Sequence, residues 1–161
     1  MDNKKKLKDS FNFIVVDDSP YKIEMIKDKI KIFGIEPTII TDEDYAHRTF
    51  KKVSETYEEN KIPVLFLDEK LGLDILEDGN LIGQYIVENF GEKGGIIFPC
   101  STIFQMQVRR LESSIEDRKE WYIEQVVGLG NREFISNVAE ICREYQGYVE
   151  KRESNSDIKN G

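Results

Sequence analysis

Two hydrophobic patterns take turns along this chain: short unbroken apolar runs, and longer stretches in which apolar residues recur every three or four positions. Phe13-Ile14-Val15-Val16 and Val64-Leu65-Phe66-Leu67 are unbroken runs, as expected for strands buried on both faces of a parallel sheet. After Ser19-Pro20, the residues Ile23, Ile26, Ile30 and Phe33 are spaced by three, four and three. That spacing predicts a helix with Ser19 as N-cap, Pro20 in its first turn and Gly34 at its stop. A short strand, Thr38-Ile39-Ile40, comes next, then a helix from about Asp42 carrying Ala46, Phe50, Val53 and Tyr57. Beyond the second apolar run, a polar loop with Gly72 and Gly79 leads to a helix showing Ile82, Tyr85, Ile86 and Phe90.

The second half repeats the alternation. Gly94-Gly95 opens a fourth strand, Ile96-Ile97-Phe98, reaching Ser101-Thr102, and Phe104, Val108, Leu111 and Ile115 set the next helix. Tyr122 to Val127 reads as a fifth strand, and a last helix from about Asn131 carries Phe134, Val138, Ile141 and Tyr145. Five βα units predict an α/β fold: a doubly wound, five-stranded parallel sheet between two helical layers, flavodoxin-like in type. The expected organisation is a basic N-terminal tail over 1–10, one domain over 11–149 and a polar C-terminal tail over 150–161.

Composition narrows the function classes. A formal net charge of -8 over 161 residues argues against direct nucleic-acid binding, which needs a basic face. Lys4, Lys5, Lys6 and Lys8 form a short basic tract without an apolar stretch behind it, so neither an export signal nor a membrane span is expected. Cys100 and Cys142, with His47 as the single histidine, do not make a disulfide framework or a zinc site. A reducing, cytoplasmic setting follows as the expectation.

The chemistry is concentrated where the apolar runs end. Asp17 and Asp18 close the first run and Asp68 closes the second. In open α/β sheets ligands bind outside the carboxyl ends of the strands, where strand order reverses. If the two strands are neighbours, three carboxylates meet in one crevice and repel one another unless a hard cation offsets them, and an oxygen-only donor set favours Mg2+.

These segments resemble bacterial response-regulator receiver domains (CheY-like). "FIVVDDSP", Phe13 to Pro20, is similar to the first strand and acidic pair of that family. "VLFLDEKLG", Val64 to Gly72, resembles its phosphoacceptor strand, with Gly79 in place of the glycine that opens the following helix. "IIFPCST", Ile96 to Thr102, resembles the fourth strand, which ends in a switch hydroxyl. The resemblance implies that Asp68 accepts a phosphoryl group, and that Asp17, Asp18, Asp68 and the backbone carbonyl of Lys70 hold Mg2+. It implies Ser101, with Thr102 as the alternative, as the switch hydroxyl. Glu69 and Lys70 would set the lifetime of the phosphoryl group. It further implies a histidine kinase or phosphotransfer protein upstream. Downstream, a protein partner or a second copy would bind the face formed by the helix after the fourth strand, the fifth strand and the last helix.

One departure stands out. Receivers carry a lysine at the end of the fifth strand, whereas this chain has Val126-Val127-Gly128-Leu129-Gly130, without a lysine or a following proline. Three explanations stay open. Lys70 or Arg132 supplies the cation from another loop. The backbone N–H groups at Gly128 and Gly130 approach the phosphoryl oxygens at a helix start. Or phospho-switching is lost, and a pseudo-receiver acts as a phosphorylation-independent interaction module. Pro99 is a second oddity, because it gives up a ladder bond and points to a shortened or bent strand tip.

Plainer readings accompany each feature. Asp18 or Ser19 could simply cap a helix, His47 is expected to face solvent, and Cys100 to be a small core residue. Gly128-Leu129-Gly130 lacks the third glycine of a dinucleotide fingerprint. The expectation is therefore a stand-alone receiver in phosphorelay (two-component) signalling, not an enzyme beyond slow autodephosphorylation. A Mg2+-dependent phosphohydrolase built on the same acids is the remaining alternative.

Overall fold

The computed structural model describes residues 7–68, 71, 79–91, 93–100, 121–123, 138–147 and 150. In chain order the described elements are α1 (Leu7–Ser10), β1 (Phe11–Val16), α2 (Pro20–Ile30) with a 3-10 turn over Lys31–Phe33, β2 (Thr38–Ile40), α3 (Tyr45–Glu58), β3 (Ile62–Leu67), α4 (Gly79–Phe90), β4 (Gly95–Pro99) and β5 (Trp121–Ile123). A further helix covers 138–147. All described strand pairs are parallel, in the order β2-β1-β3-β4-β5. The chain leaves β1 toward β2 on one side and returns to β3 on the other, so strand order reverses between β1 and β3.

Alternation along the strands makes the three layers. Phe13 and Val15 of β1, Val64 and Phe66 of β3, and Ile96 and Phe98 of β4 pack with Ile23, Ile26 and Ile30 of α2 and with Val138, Cys142 and Tyr145. The residues between them, Ile14, Val16, Leu65, Leu67 and Ile97, pack on the other face with Val53 of α3 and Ile82 and Ile86 of α4. β1, β3 and β4 are thus apolar on both faces, which is why their sequences read as solid runs. Phe66 bridges two aromatic contacts on the α2 face, with ring centroids 5.7 Å from Phe13 and 5.2 Å from Phe98.

Several boundaries differ from expectation. Residues 7–10, expected in a basic tail, wind into α1, with Leu7 buried in the core, and Ser10 Oγ accepts from Gln146 Nε2 at 3.2 Å. The helix expected from about Asp42 starts at Tyr45, because Asp42 and Asp44 take left-handed backbone at φ 89° and 50°, a conformation Asp tolerates in turns. Pro99 does not shorten the β3–β4 pairing: it pairs with Leu67, and Cys100 N–H still donates to Leu67 O at 2.8 Å. Parallel ladders alternate sides, so the N–H that Pro99 lacks would have faced away from β3. The start and stop of α2 stand as predicted, with Ser19 as N-cap and Gly34 left-handed at φ 68°. The expected helix through Phe104 to Ile115, the end of the fifth strand over 124–127, the start of the last helix over 131–137 and the tail over 151–161 lie outside the described residues.

Candidate functional site

Four strand tips, those of β2, β1, β3 and β4, are fixed to one another by a staggered set of three backbone bonds. Asp17 N–H donates to Ile40 O (3.2 Å), Asp68 N–H to Val16 O (2.9 Å) and Cys100 N–H to Leu67 O (2.8 Å). Because side chains alternate, Asp17 continues the stripe of Phe13 and Val15, and Asp68 that of Val64 and Phe66. Both acids therefore emerge on the α2 face at the point where strand order reverses. Asp17 is fully buried, Asp68 is 7% exposed and Asp18 is exposed. Carboxylate oxygens of Asp17, Asp18 and Asp68 lie within 4.8 Å of one another.

The cluster contains a cation that the sequence reading did not place there. Lys22, in the first turn of α2, brings its Nζ to 2.7 Å from Asp68 Oδ1 and 3.0 Å from the Cys100 carbonyl oxygen. The same Nζ is 3.2 Å from Asp17 Oδ2. Its backbone is positioned by the adjacent cap: Ser19 N–H donates to Asp17 Oδ1 at 2.9 Å, and Ser19 Oγ accepts from Lys22 N–H at 3.4 Å. A signal was present in the sequence. Lys22 lies four and eight residues before Ile26 and Ile30, on the helix stripe that faces the sheet. It became useful only once the strand alternation had put Asp17 and Asp68 on that same face.

Burial sets the electrostatics. Removal from water raises the Asp17 carboxyl to about 6, helped by the charge of Asp68 and opposed by the Ser19 N–H and by Lys22. Burial works against the Lys22 ammonium, but the Asp68 hydrogen bond and the two carboxylate charges together hold it above the usual lysine range. Cys100 is fully buried, its thiol donates to Phe98 O at 3.3 Å, and burial and Asp17 push its ionisation upward. That is the behaviour of a core thiol, not of an exposed oxidant sensor.

The donor set suits a hard divalent cation. Asp17 Oδ2 is buried and accepts no hydrogen bond, its Lys22 contact being an ion pair without hydrogen-bond alignment. A lone pair on a buried carboxylate oxygen, flanked by two further carboxylates, matches the all-oxygen preference of Mg2+. Of the predicted site residues, Asp17, Asp18 and Asp68 are brought together, and Gly79 opens α4 as expected. Lys70, Ser101, Thr102, Gly128, Gly130 and Arg132 lie outside the described residues. His47 is exposed, on the rim of an apolar groove of about 630 Å³ between α3 and α4.

No protein-family model matches the chain, and no curated protein matches its sequence. Solved structures do share its fold. The signal receiver domain of an HD domain-containing protein from Pseudomonas fluorescens Pf-5 matches over 92% of this chain and 98% of its own, with TM-score 0.57 and 11% identity. The N-terminal domain of a response regulator/sensory box/GGDEF three-domain protein from Carboxydothermus hydrogenoformans covers 86% and 98%, at TM-score 0.53 and 17% identity. A CheY-like receiver domain protein from Methanospirillum hungatei JF-1 covers 85% and 98%, at TM-score 0.53 and 15% identity. The chain has the receiver-domain fold, carried by a strongly divergent sequence.

Proposed function

We propose that this chain is a receiver-type phosphoacceptor module in which Asp68 takes a phosphoryl group from a phosphohistidine or acyl-phosphate donor. The observation that carries the reading is the meeting of Asp17, Asp18 and Asp68 within 4.8 Å at the strand-order reversal of a receiver fold. Asp68 is 7% exposed, enough to reach solvent, while its backbone is fixed by the Val16 carbonyl. In the transfer, a carboxylate oxygen of Asp68 attacks phosphorus. The bond from phosphorus to the donor breaks, its electron pair leaves with the donor, and Asp68 becomes a mixed acyl phosphate. Asp17 and Asp18, with an Asp68 oxygen and the Lys70 carbonyl, would hold Mg2+, which when bound offsets the crowded negative charge around the acceptor.

The acyl phosphate adds nearly two negative charges and three acceptor oxygens. Ser101 or Thr102, directly after Cys100, would donate to it and draw the loop after β4 inward. The changed surface is then read by a protein partner or a second copy. The setting is cytoplasmic phosphorelay signalling, and no helix among the described residues is long and apolar enough to cross a membrane.

The test is intact mass after brief incubation with acetyl phosphate and Mg2+, for the native chain and Asp68→Ala. One added phosphoryl group, absent in the variant, supports the reading. No addition in the native chain contradicts it and favours a phosphorylation-independent module. Turnover of a phosphomonoester beyond one equivalent would point to a phosphohydrolase.

A further inference from the structure

The ammonium that should meet the phosphoryl group has no source at the end of the fifth strand, where residues 124–130 read Glu-Gln-Val-Val-Gly-Leu-Gly. We propose that Lys22 is the phosphoryl-facing cation of this site, delivered by α2, the helix that follows β1, rather than by the end of β5, and that it links Asp68 directly to the tip of β4. The inference rests on the phosphoacceptor reading of Asp68.

Four observations carry it. First, Lys22 Nζ forms its shortest contact, 2.7 Å, with Asp68 Oδ1, so a phosphoryl group on Asp68 would form beside an ammonium. Second, the side chain is only 13% exposed, so its charge acts with little screening by solvent. Third, its second hydrogen bond goes to the carbonyl of Cys100 at 3.0 Å, the residue directly before Ser101. One ammonium thus joins the acceptor to the tip of β4. Fourth, the position is unfavourable for a lysine on local grounds. It lies in the first turn of α2, which carries no acidic residue and where the helix dipole favours anions. The carboxylates of Asp17 and Asp68 supply the compensation.

The link gives a mechanism for switching. An ammonium has three N–H donors, and in the unmodified chain its near acceptors are Asp68 Oδ1, the Cys100 carbonyl and, as an ion pair, Asp17 Oδ2. Phosphorylation adds stronger anionic acceptors beside the same nitrogen. Lys22 turns toward them, its bond to Cys100 O weakens, and the carbonyl at the β4 tip is released. In the absence of a phosphoryl group, the bond holds the tip back.

The test compares the native chain with Lys22→Met and Lys22→Arg. The readouts are the rate of mass gain from acetyl phosphate with Mg2+ and the carbonyl 13C shift of Cys100 before and after modification. Lys22→Met should be labelled about a hundredfold more slowly, in the range seen on removal of one oriented charge-stabilising donor. Its Cys100 carbonyl signal should already be displaced before phosphodonor is added and respond little afterwards. Lys22→Arg, which keeps the charge, should recover part of the rate. The native chain provides a readout free of any folding defect, because its Cys100 carbonyl should shift on labelling. Native-rate labelling of Lys22→Met with an unaltered Cys100 response would overturn the inference and leave the Asp68 reading standing. A native chain that takes no label would overturn both.

Discussion

The two faces of the sheet are made from the same strands but end differently. On the α2 face, the stripe through Phe13, Phe66 and Phe98 runs on into Asp17, Asp68 and Cys100, and Lys22 closes over it. On the α3 and α4 face, the stripe through Ile14, Leu65 and Ile97 ends in Val16 and Leu67, packed with Leu71 and Ile82. A one-residue step along a strand separates a charged edge from an apolar one. Both faces hold the fold together, and the charged residues buried at the described tips, Asp17 and Asp68, lie on the α2 face.

The largest effects test whether the two faces share the core equally. Phe66→Ala should cost about 3–5 kcal/mol and Leu65→Ala about 2–5 kcal/mol in urea unfolding, since both side chains are fully buried. A loss confined to one of them would break the picture of a sheet sealed on both sides. Next comes Asp17→Asn, a change on the α2 face alone. The folded chain holds the Asp17 proton to about 6 against an ordinary value of 3.8. It therefore binds that proton more tightly than the unfolded chain does. This contribution to stability is complete below about pH 4 and is lost as pH rises through about 6. Without metal at pH 7.5, Asp17→Asn should stabilise the protein by about 1–3 kcal/mol and flatten the stability curve between those pH values, despite removing a partner of Lys22. Destabilisation with an unchanged pH slope would mean that the buried charge is already compensated.

The smallest pair sharpens the contrast. Ser19→Ala removes the side-chain cap that accepts from Lys22 N–H, and Tyr57→Phe removes the hydroxyl that donates to Gly94 O at 2.6 Å on the other face. Each should cost about 1 kcal/mol. Only Ser19→Ala should also slow labelling from acetyl phosphate, because it loosens the turn that positions Lys22. Equal labelling in both variants would separate the cap from the site.

Most of the layered fold was legible because β1, β3 and β4 are buried on both sides, and such strands announce themselves as solid apolar runs. The start of α2 was equally plain, since Ser19, Pro20 and Gly34 each have a local conformational reason to be where they are. The start of α3 is less plain, because apolar spacing does not show that Asp42 and Asp44 lie outside the helix. They adopt left-handed turn geometry, and α3 has no side-chain cap bond. Leu7 directly follows three lysines, and that polar tract hides from the sequence pattern that its side chain reaches the core. At the site, Asp17, Asp18 and Asp68 could be read from strand ends alone. Lys22 could not, because its role depends on which face α2 covers, and helical spacing does not carry that information.

The central claim is that Asp68, alone among the acids at the strand tips, accepts a phosphoryl group. Borohydride reduction after treatment with acetyl phosphate and Mg2+ tests it directly, since an aspartyl phosphate is reduced to homoserine and can be located by peptide mass spectrometry. Homoserine at position 68, and at neither 17 nor 18, is the expected result. Homoserine at another acid, or at none, would contradict the account.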